Sequence, residues 1–338
     1  MSVLPGSVAV LVATGLAAVL FAPFVAAEHR RHGELRVGVA LLRFAALLYA
    51  TALACYVLLP LPGAGSGFEP QWRPFAGLGD PALLEQFACN IALFVPLGAL
   101  LRRGPVAAAL VGGTASVIVE LTQLTGTWFL FPTPYRVFDV NDIIANTTGA
   151  VLGTLGAPLL RRVPTEARDG PAVPRPVGAP RRLLGMSCDL LLLWWLGVAG
   201  ARAAELALWL TGTAPNAWWE ATALWFAPAV VLLVVMIVGG GSSLGQHAVC
   251  LRARAPTRPV VAAVLRWTSG IGGFAAAQGV CTGVLGGADA ALGVLWCAVH
   301  AWGVTNTGDH RGITGRVAGL EVIDARQSQR APTAARST

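Results

Sequence analysis

The sequence predicts an all-α fold, a polytopic transmembrane bundle of about nine spans in two groups, five and then four. Three observations carry this reading. The 338 residues are 55% hydrophobic and 12% charged, with a mean hydropathy of +0.65, whereas soluble domains carry roughly 25% charged residues. Apolar runs near the ~20 residues needed to cross a ~30 Å hydrocarbon core recur along the whole chain. The basic residues sit in short clusters between those runs, where an excess of arginine marks cytoplasmic loops.

The first five spans are expected at Val8–Ala27, Val37–Leu59, Glu85–Leu101, Pro105–Thr125 and Asp142–Leu160. The first has no positive segment before it, and Arg30 and Arg31 follow it, so it reads as a retained helix rather than a signal peptide. Four further spans are expected at Leu183–Ala201, Ala221–Val238, Val260–Val280 and Ala288–Val304, the last two glycine-rich enough to be tilted or broken. With the N-terminus outside, nineteen of the 24 basic residues, all arginine, fall in cytoplasmic loops and only Arg73 and Arg136 in outer ones. That asymmetry fixes the orientation and places the C-terminus in the cytoplasm. Trp209, Trp218, Trp219 and Trp225 read as an interfacial aromatic belt.

Residues 163–180, with five prolines and several charges, cannot form a buried span and read as an extended cytoplasmic linker. The expected organisation is a five-span domain over 1–162, the linker, a four-span domain over 181–326 and a disordered tail over 327–338. The flexible inner loop expected after the seventh span is Gly239–Gln246.

Composition also narrows the chemistry. There is no lysine, which excludes a P-loop lysine and a lysine Schiff base. The six cysteines are scattered singly and read as small buried hydrophobes. No cofactor or metal site is expected, and the net charge of +7, spread over loops, does not point to nucleic acid. Abundant arginine and alanine without lysine fits a GC-rich bacterial genome.

Polar residues gather on defined helical faces in the first half. Gly112, Ser116, Glu120 and Gln123 form one stripe on the fourth span. Asn90, Phe94 and Gly98 do so on the third. On the fifth, Arg136, Asp139, Asp142 and Asn146 lead into Gly149 and Gly153, a Gly-x-x-x-Gly face that admits a neighbouring helix. Asn90, Glu120, Gln123, Arg136, Asp139, Asp142 and Asn146 are thus expected to form an outward-facing polar cluster, with Arg136 pairing with one of the acids. Three readings stand for it: helix capping and packing, a ligand or headgroup site, and acid–base chemistry. No histidine lies near these residues, since His29, His32, His247 and His310 read as cytoplasmic and His300 as lying near an inner end.

The run Asn90-Ile-Ala-Leu-Phe-Val-Pro-Leu-Gly98, the stripe Gly113, Ser116, Glu120, Gln123 and the spacing Arg136, Asp139, Asp142, Asn146, Gly149 resemble the VanZ-like family over about residues 30–160. Trp72-Arg73-Pro74-Phe75 is similar to its Pro-Phe element. That family takes its name from a protein associated with teicoplanin resistance. The resemblance implies a non-enzymatic protein of the bacterial cytoplasmic membrane acting at the outer face, with membrane lipids, a cell-wall precursor or a glycopeptide as partners.

In the second half, Arg181-Arg182 with Asp189, the Gly239–Gln246 loop and Gly315-Arg316-Val-Ala-Gly319 together resemble an RDD-family membrane domain, with Arg182, Asp189 and Arg316 as its motif residues. Gln246 stands where that pattern carries a basic residue and Gly315 where it carries a second aspartate. Asp189 is expected to pair with Arg182 or Arg266, or to serve ion transport. An enzyme acting on a lipid-linked substrate is the remaining alternative.

Overall fold

A computed structural model describes residues 5–58, 70–130, 136–163, 170, 172–214, 216, 218–254 and 258–327. The expected tail lies almost wholly outside the described residues, as does the first stretch of the linker. The chain is mostly helical and divides into two compact units. One comprises Met1–Ala17 and Arg36–Thr165, the other Ala18–Leu35 and Glu166–Thr338. Residues 18–35, read from sequence as part of the first domain, thus cluster with the second.

The helices of the N-terminal region are α1 (Pro5–His32), α2 (Val37–Leu58), α3 (Pro81–Leu101), α4 (Pro105–Leu124), the single turn α5 (Gly126–Phe129), α6 (Val140–Gly153) and α7 (Ala157–Arg161). Asp80 caps α3 by accepting from the Ala82 N–H, followed by Pro81, an arrangement that satisfies free amides at a helix start. The chain leaves α3 through Arg102 in the left-handed region, and Arg161 donates twice to the Arg102 carbonyl at 3.1 and 2.9 Å.

The core of the first unit is the packing of α6 against α3 and α4. A Cβ added at Gly149 would stand 2.1 Å from the Ile91 carbonyl oxygen. One at Gly153 would stand 2.1 Å from that of Val95, and one at Gly98 1.8 Å from that of Ala150. The small-residue face of α6 therefore brings backbone against backbone, a contact built from van der Waals packing where lipid offers no hydrophobic drive. Asn146 Nδ2 donates to Ser116 Oγ (2.9 Å) across α6 and α4, and the Tyr49 hydroxyl donates to the Leu93 carbonyl (2.9 Å) from α2 to α3.

In the second unit, α8 (Ala179–Thr211) is followed by α9 (Trp219–Ala221), a π turn over Thr222–Phe226, α10 (Ala227–Val238), α11 (Leu244–Ala248), α12 (Pro259–Thr268), α13 (Ile271–Leu285), α14 (Ala290–Asn306) and α15 (Gly312–Val317). Strands β1 (Leu251–Arg254) and β2 (Glu321–Asp324) pair antiparallel, Leu251 opposite Asp324. Neither strand is expected from the sequence; LRAR and EVID are four residues each, too short for alternation to stand out. α8 has 33 residues where nineteen were expected, because Arg202 and Glu205, three apart, pair at 2.7 Å on its exposed surface and the helix runs through them.

The Gly239–Gln246 stretch is not a flexible loop. Gly240 and Gly241 turn the chain with positive φ, and Ser243 and Gln246 then form a reciprocal capping box at the start of α11. α11 lies so close to α8 that a Cβ at Gly245 would stand 1.9 Å from the Gly185 carbonyl oxygen. The eighth expected span is broken at Ser269–Gly270, between α12 and α13. Trp267 Nε1 donates to the Ala229 carbonyl (2.8 Å) and Trp225 Nε1 to the Thr282 hydroxyl (2.9 Å), so Trp225 belongs to the packing rather than to an aromatic belt.

Asp324, fully buried on β2, ties the unit's polar end together. It accepts from Arg181 at 2.8 Å and from Arg326 at 2.7 Å and from the Arg175 backbone N–H at 3.0 Å. Burial alone would push its carboxyl up, but the hydrogen bonds from Arg326, from the Arg175 backbone and from Arg181 win and hold it well below the usual carboxylate range. The end of the presumed linker, around Arg175 and Val177, is therefore packed: Val177 sits against the apolar cluster of Val25, Cys188, Val249 and Leu251.

Seven described helices or helix pairs are long and apolar enough to cross a membrane: Val12–His32, Val37–Leu58, Pro81–Leu101, Pro105–Leu124, Ala179–Thr211, Trp219–Val238 and Pro259–Leu285. The other two segments expected to span, α6 and α14, have 14 and 17 residues. At 1.5 Å per residue these reach about 21 and 26 Å, short of a ~30 Å hydrocarbon layer.

Candidate functional site

The polar faces of α3, α4 and α6 meet around one cavity of about 610 Å³ in the first unit. Helical periodicity puts Ser116, Glu120 and Gln123 on the buried side of α4 and Asn90 on that of α3. All seven residues singled out in the sequence (Asn90, Glu120, Gln123, Arg136, Asp139, Asp142 and Asn146) line this cavity.

The acids are held in different ways. Asp139 is the N-cap of α6 and accepts from the Asn141 N–H at 2.8 Å. Glu120, 1% exposed, accepts from the Asp139 backbone N–H at 3.0 Å, so one carboxylate satisfies the amide of the residue that caps the next helix. Asp142, in the first turn of α6, accepts from the Asn90 side chain and has Gln86 Nε2 at 3.5 Å from both oxygens. Capping and packing thus account for part of the cluster. They do not account for the space between the side chains.

Arg136 does not pair with an acid as expected. Its guanidinium lies over the Tyr56 ring, 4.9 Å from the centroid, and makes no ion pair among the described residues. The face-on contact is one that arginine's planar, weakly hydrated head favours, and it leaves the in-plane N–H groups for another acceptor.

Several lining residues were not found from sequence. Gln71 forms a parallel bridge to Asp139, donating its N–H to Phe138 O (2.7 Å) and accepting from the Val140 N–H (3.1 Å). Asn141 accepts from the Phe75 N–H at 2.6 Å and donates to Ala76 O at 3.2 Å, and the Trp72 ring meets Phe138 at 4.6 Å. These contacts fasten residues 71–76 over the start of α6. Gln86 was legible as the preceding member of the i, i+4 series with Asn90 and Phe94; Gln71 and Tyr56 carry no periodic signal.

Leu53, Val57, Leu83, Leu93, Phe94 and Val119 also line the cavity and give it an apolar component. The lining holds no histidine, cysteine or lysine among the described residues. Among the described residues, no three His, Cys, Asp or Glu side chains are grouped to hold a metal ion. Asn146 Oδ1 is buried with no hydrogen-bond partner. The arrangement can bind: it presents a planar cation, three carboxylates and amides together with hydrocarbon.

The second-half motif residues separate into two places. Arg182 and Asp189 line a small cavity with Arg266. Arg316 is exposed on α15 and does not line it. Asp189 pairs with neither arginine: it accepts from the Gly245 N–H at 2.7 Å and from the Ser243 side chain.

Fold and site together define a multi-pass helical membrane protein with a polar cavity between the helices of its first unit. Residues 46–161 match the VanZ/LLP1 family model, so the chain contains a VanZ-like domain covering α3, α4, α6 and the cavity. No curated protein and no solved structure matches the chain.

Proposed function

We propose that this is a non-enzymatic protein of the bacterial cytoplasmic membrane whose VanZ-like domain binds the polar head of an amphiphile. A lipid headgroup, a lipid-linked cell-wall precursor or a lipophilic glycopeptide antibiotic has the required chemistry. The observation that carries the reading is the mixed lining of the 610 Å³ cavity, in which charged and amide groups stand together with aliphatic side chains. Pockets of this size and mixed lining bury most of a small ligand's surface. An isolated ionisable group in a membrane helix costs about 2.5–3.5 kcal/mol on insertion scales, so three acids and an arginine around a void point to use rather than accident. Arg136, oriented by Tyr56, would contact phosphate or carboxylate through its fork, and Glu120, Asp139 and Asp142 would receive ammonium or hydroxyl donors. The arginine distribution supports an orientation with the N-terminus outside and this cavity towards the outer face.

For the second half, the RDD-like reading rests on sequence resemblance alone, since Arg182 and Asp189 line one cavity without pairing. Arg316 takes no part in it.

Native mass spectrometry of the purified protein with a bacterial lipid extract tests the binding reading. A retained lipid species that is lost in Arg136→Ala and weakened in Asp142→Asn is expected. Equal retention by the wild type and by Arg136→Ala, Glu120→Gln and Asp142→Asn variants that insert and fold would overturn it.

A further inference from the structure

We propose that the second unit holds a small monovalent anion between Arg182 and Arg266. This goes beyond the lipid-binding reading and is independent of it. Both guanidiniums are buried, 3% and 8% exposed, and both line a cavity of about 90 Å³ together with Asp189, Ser243, Phe274, Trp296 and His300. Buried charges are ordinarily matched by an opposite charge in contact. Here none is. Arg182 donates from Nε to His310 O (3.1 Å) and from Nη2 to Arg311 O (3.0 Å). Arg266 donates from Nη1 to Gly241 O (2.9 Å) and to Gln246 Oε1. The one carboxylate in the cavity, Asp189, is turned to the Gly245 N–H and Ser243.

Two consequences follow. The cavity carries two formal positive charges against one negative, leaving one unbalanced in surroundings that include Phe274 and Trp296. Nη1 of Arg182, and Nε and Nη2 of Arg266, have no acceptor among the described residues. A single monovalent anion resolves both, balancing the charge and accepting from the unused N–H edges. A cavity of about 90 Å³ has room for chloride together with water. A phosphate dianion would invert the balance.

The test uses the full chain in detergent, with the melting temperature followed in sodium chloride against sodium gluconate at constant ionic strength. Saturable stabilisation by chloride is expected, with bromide substituting for it. Arg266→Gln, which removes the unbalanced charge, should weaken the apparent affinity at least tenfold, whereas Asp189→Asn should retain or tighten it. Should Arg266→Gln fail to fold, bromide soaked into crystals of the wild type decides the matter, because its anomalous peak must lie between the two guanidiniums. An absence of saturable chloride dependence in the wild type, an unchanged response in folded Arg266→Gln, or bromide bound only elsewhere each overturns the proposal.

Discussion

Gly149→Ala isolates the close approach on which the candidate site rests. The added methyl carbon would stand 2.1 Å from the Ile91 carbonyl oxygen, 2.9 Å from its carbonyl carbon and 3.1 Å from its Cα. All three are backbone atoms of α3, so no side chain can swing away, and the helices must part by roughly 1.4 Å to bring the added carbon from the carbonyl oxygen out to an ordinary contact distance of about 3.5 Å. Overpacking of this kind costs about 1–3 kcal/mol, and a rigid obstacle places it at the upper end. Alanine regains about 1 kcal/mol of helix propensity over glycine. The expected net loss is therefore about 1–2 kcal/mol. Gly38→Ala on α2 is the control, since nothing lies within 4 Å of its added carbon; the propensity term acts alone there, giving a gain of up to about 1 kcal/mol. Reversible unfolding in mixed micelles, read by far-UV circular dichroism, measures both. A Gly149→Ala protein as stable as Gly38→Ala would refute the backbone-to-backbone packing of α6 on α3.

Other outcomes follow from individual contacts. Asn141→Ala removes the acceptor of the Phe75 N–H and a donor to the Ala76 carbonyl, two part-buried bonds worth about 0.5–1.5 kcal/mol each; limited proteolysis should then cut within residues 71–78, which the wild type protects. Asp324→Asn breaks a buried ion-pair network and should cost about 3–5 kcal/mol, measured by chemical denaturation. Because the folded state lowers the Asp324 pKa, its share of stability is complete above the unfolded value of about 3.9 and is lost only as pH falls through the depressed folded value. The difference in unfolding free energy between wild type and Asp324→Asn should therefore be flat from pH 7 to 5 and shrink below about pH 4; a difference already shrinking at pH 6 would contradict the assignment. Glu120→Leu leaves the Asp139 N–H without its acceptor and should cost about 1–3 kcal/mol, whereas Glu120→Gln, which keeps an acceptor oxygen, should cost less.

The membrane class and the gathering of Asn90, Glu120, Gln123, Asp142 and Asn146 were legible because helical spacing alone puts such residues on one face. The glycine face of α6 was legible for the same reason. What escaped was non-local. Arg136 and the acids share a membrane side, which suggested an ion pair, but the choice between an acid and the Tyr56 ring depends on how α2 packs. Gln71 reaches Asp139 by strand-like pairing of 68-residue separation, which no local pattern encodes. Gln246, read as a departure from a motif, is instead the third residue of a capping box. The end of α8 was misjudged because the expected span stopped at Ala201, just before Arg202, whereas the helix runs on to Thr211 and carries Arg202 and Glu205 as a pair on its surface.

The pairing of β1 with β2 has a consequence for biosynthesis. Leu251 acquires its strand partner, and Arg181 its carboxylate, only after residue 324 has been made. The residues that line the cavity around Glu120 are all made by residue 146, and the glycine face that packs α6 on α3 by residue 153. A ribosome is thus still adding well over a hundred residues when the first unit can close, while the second must wait for its last strand before it can lock.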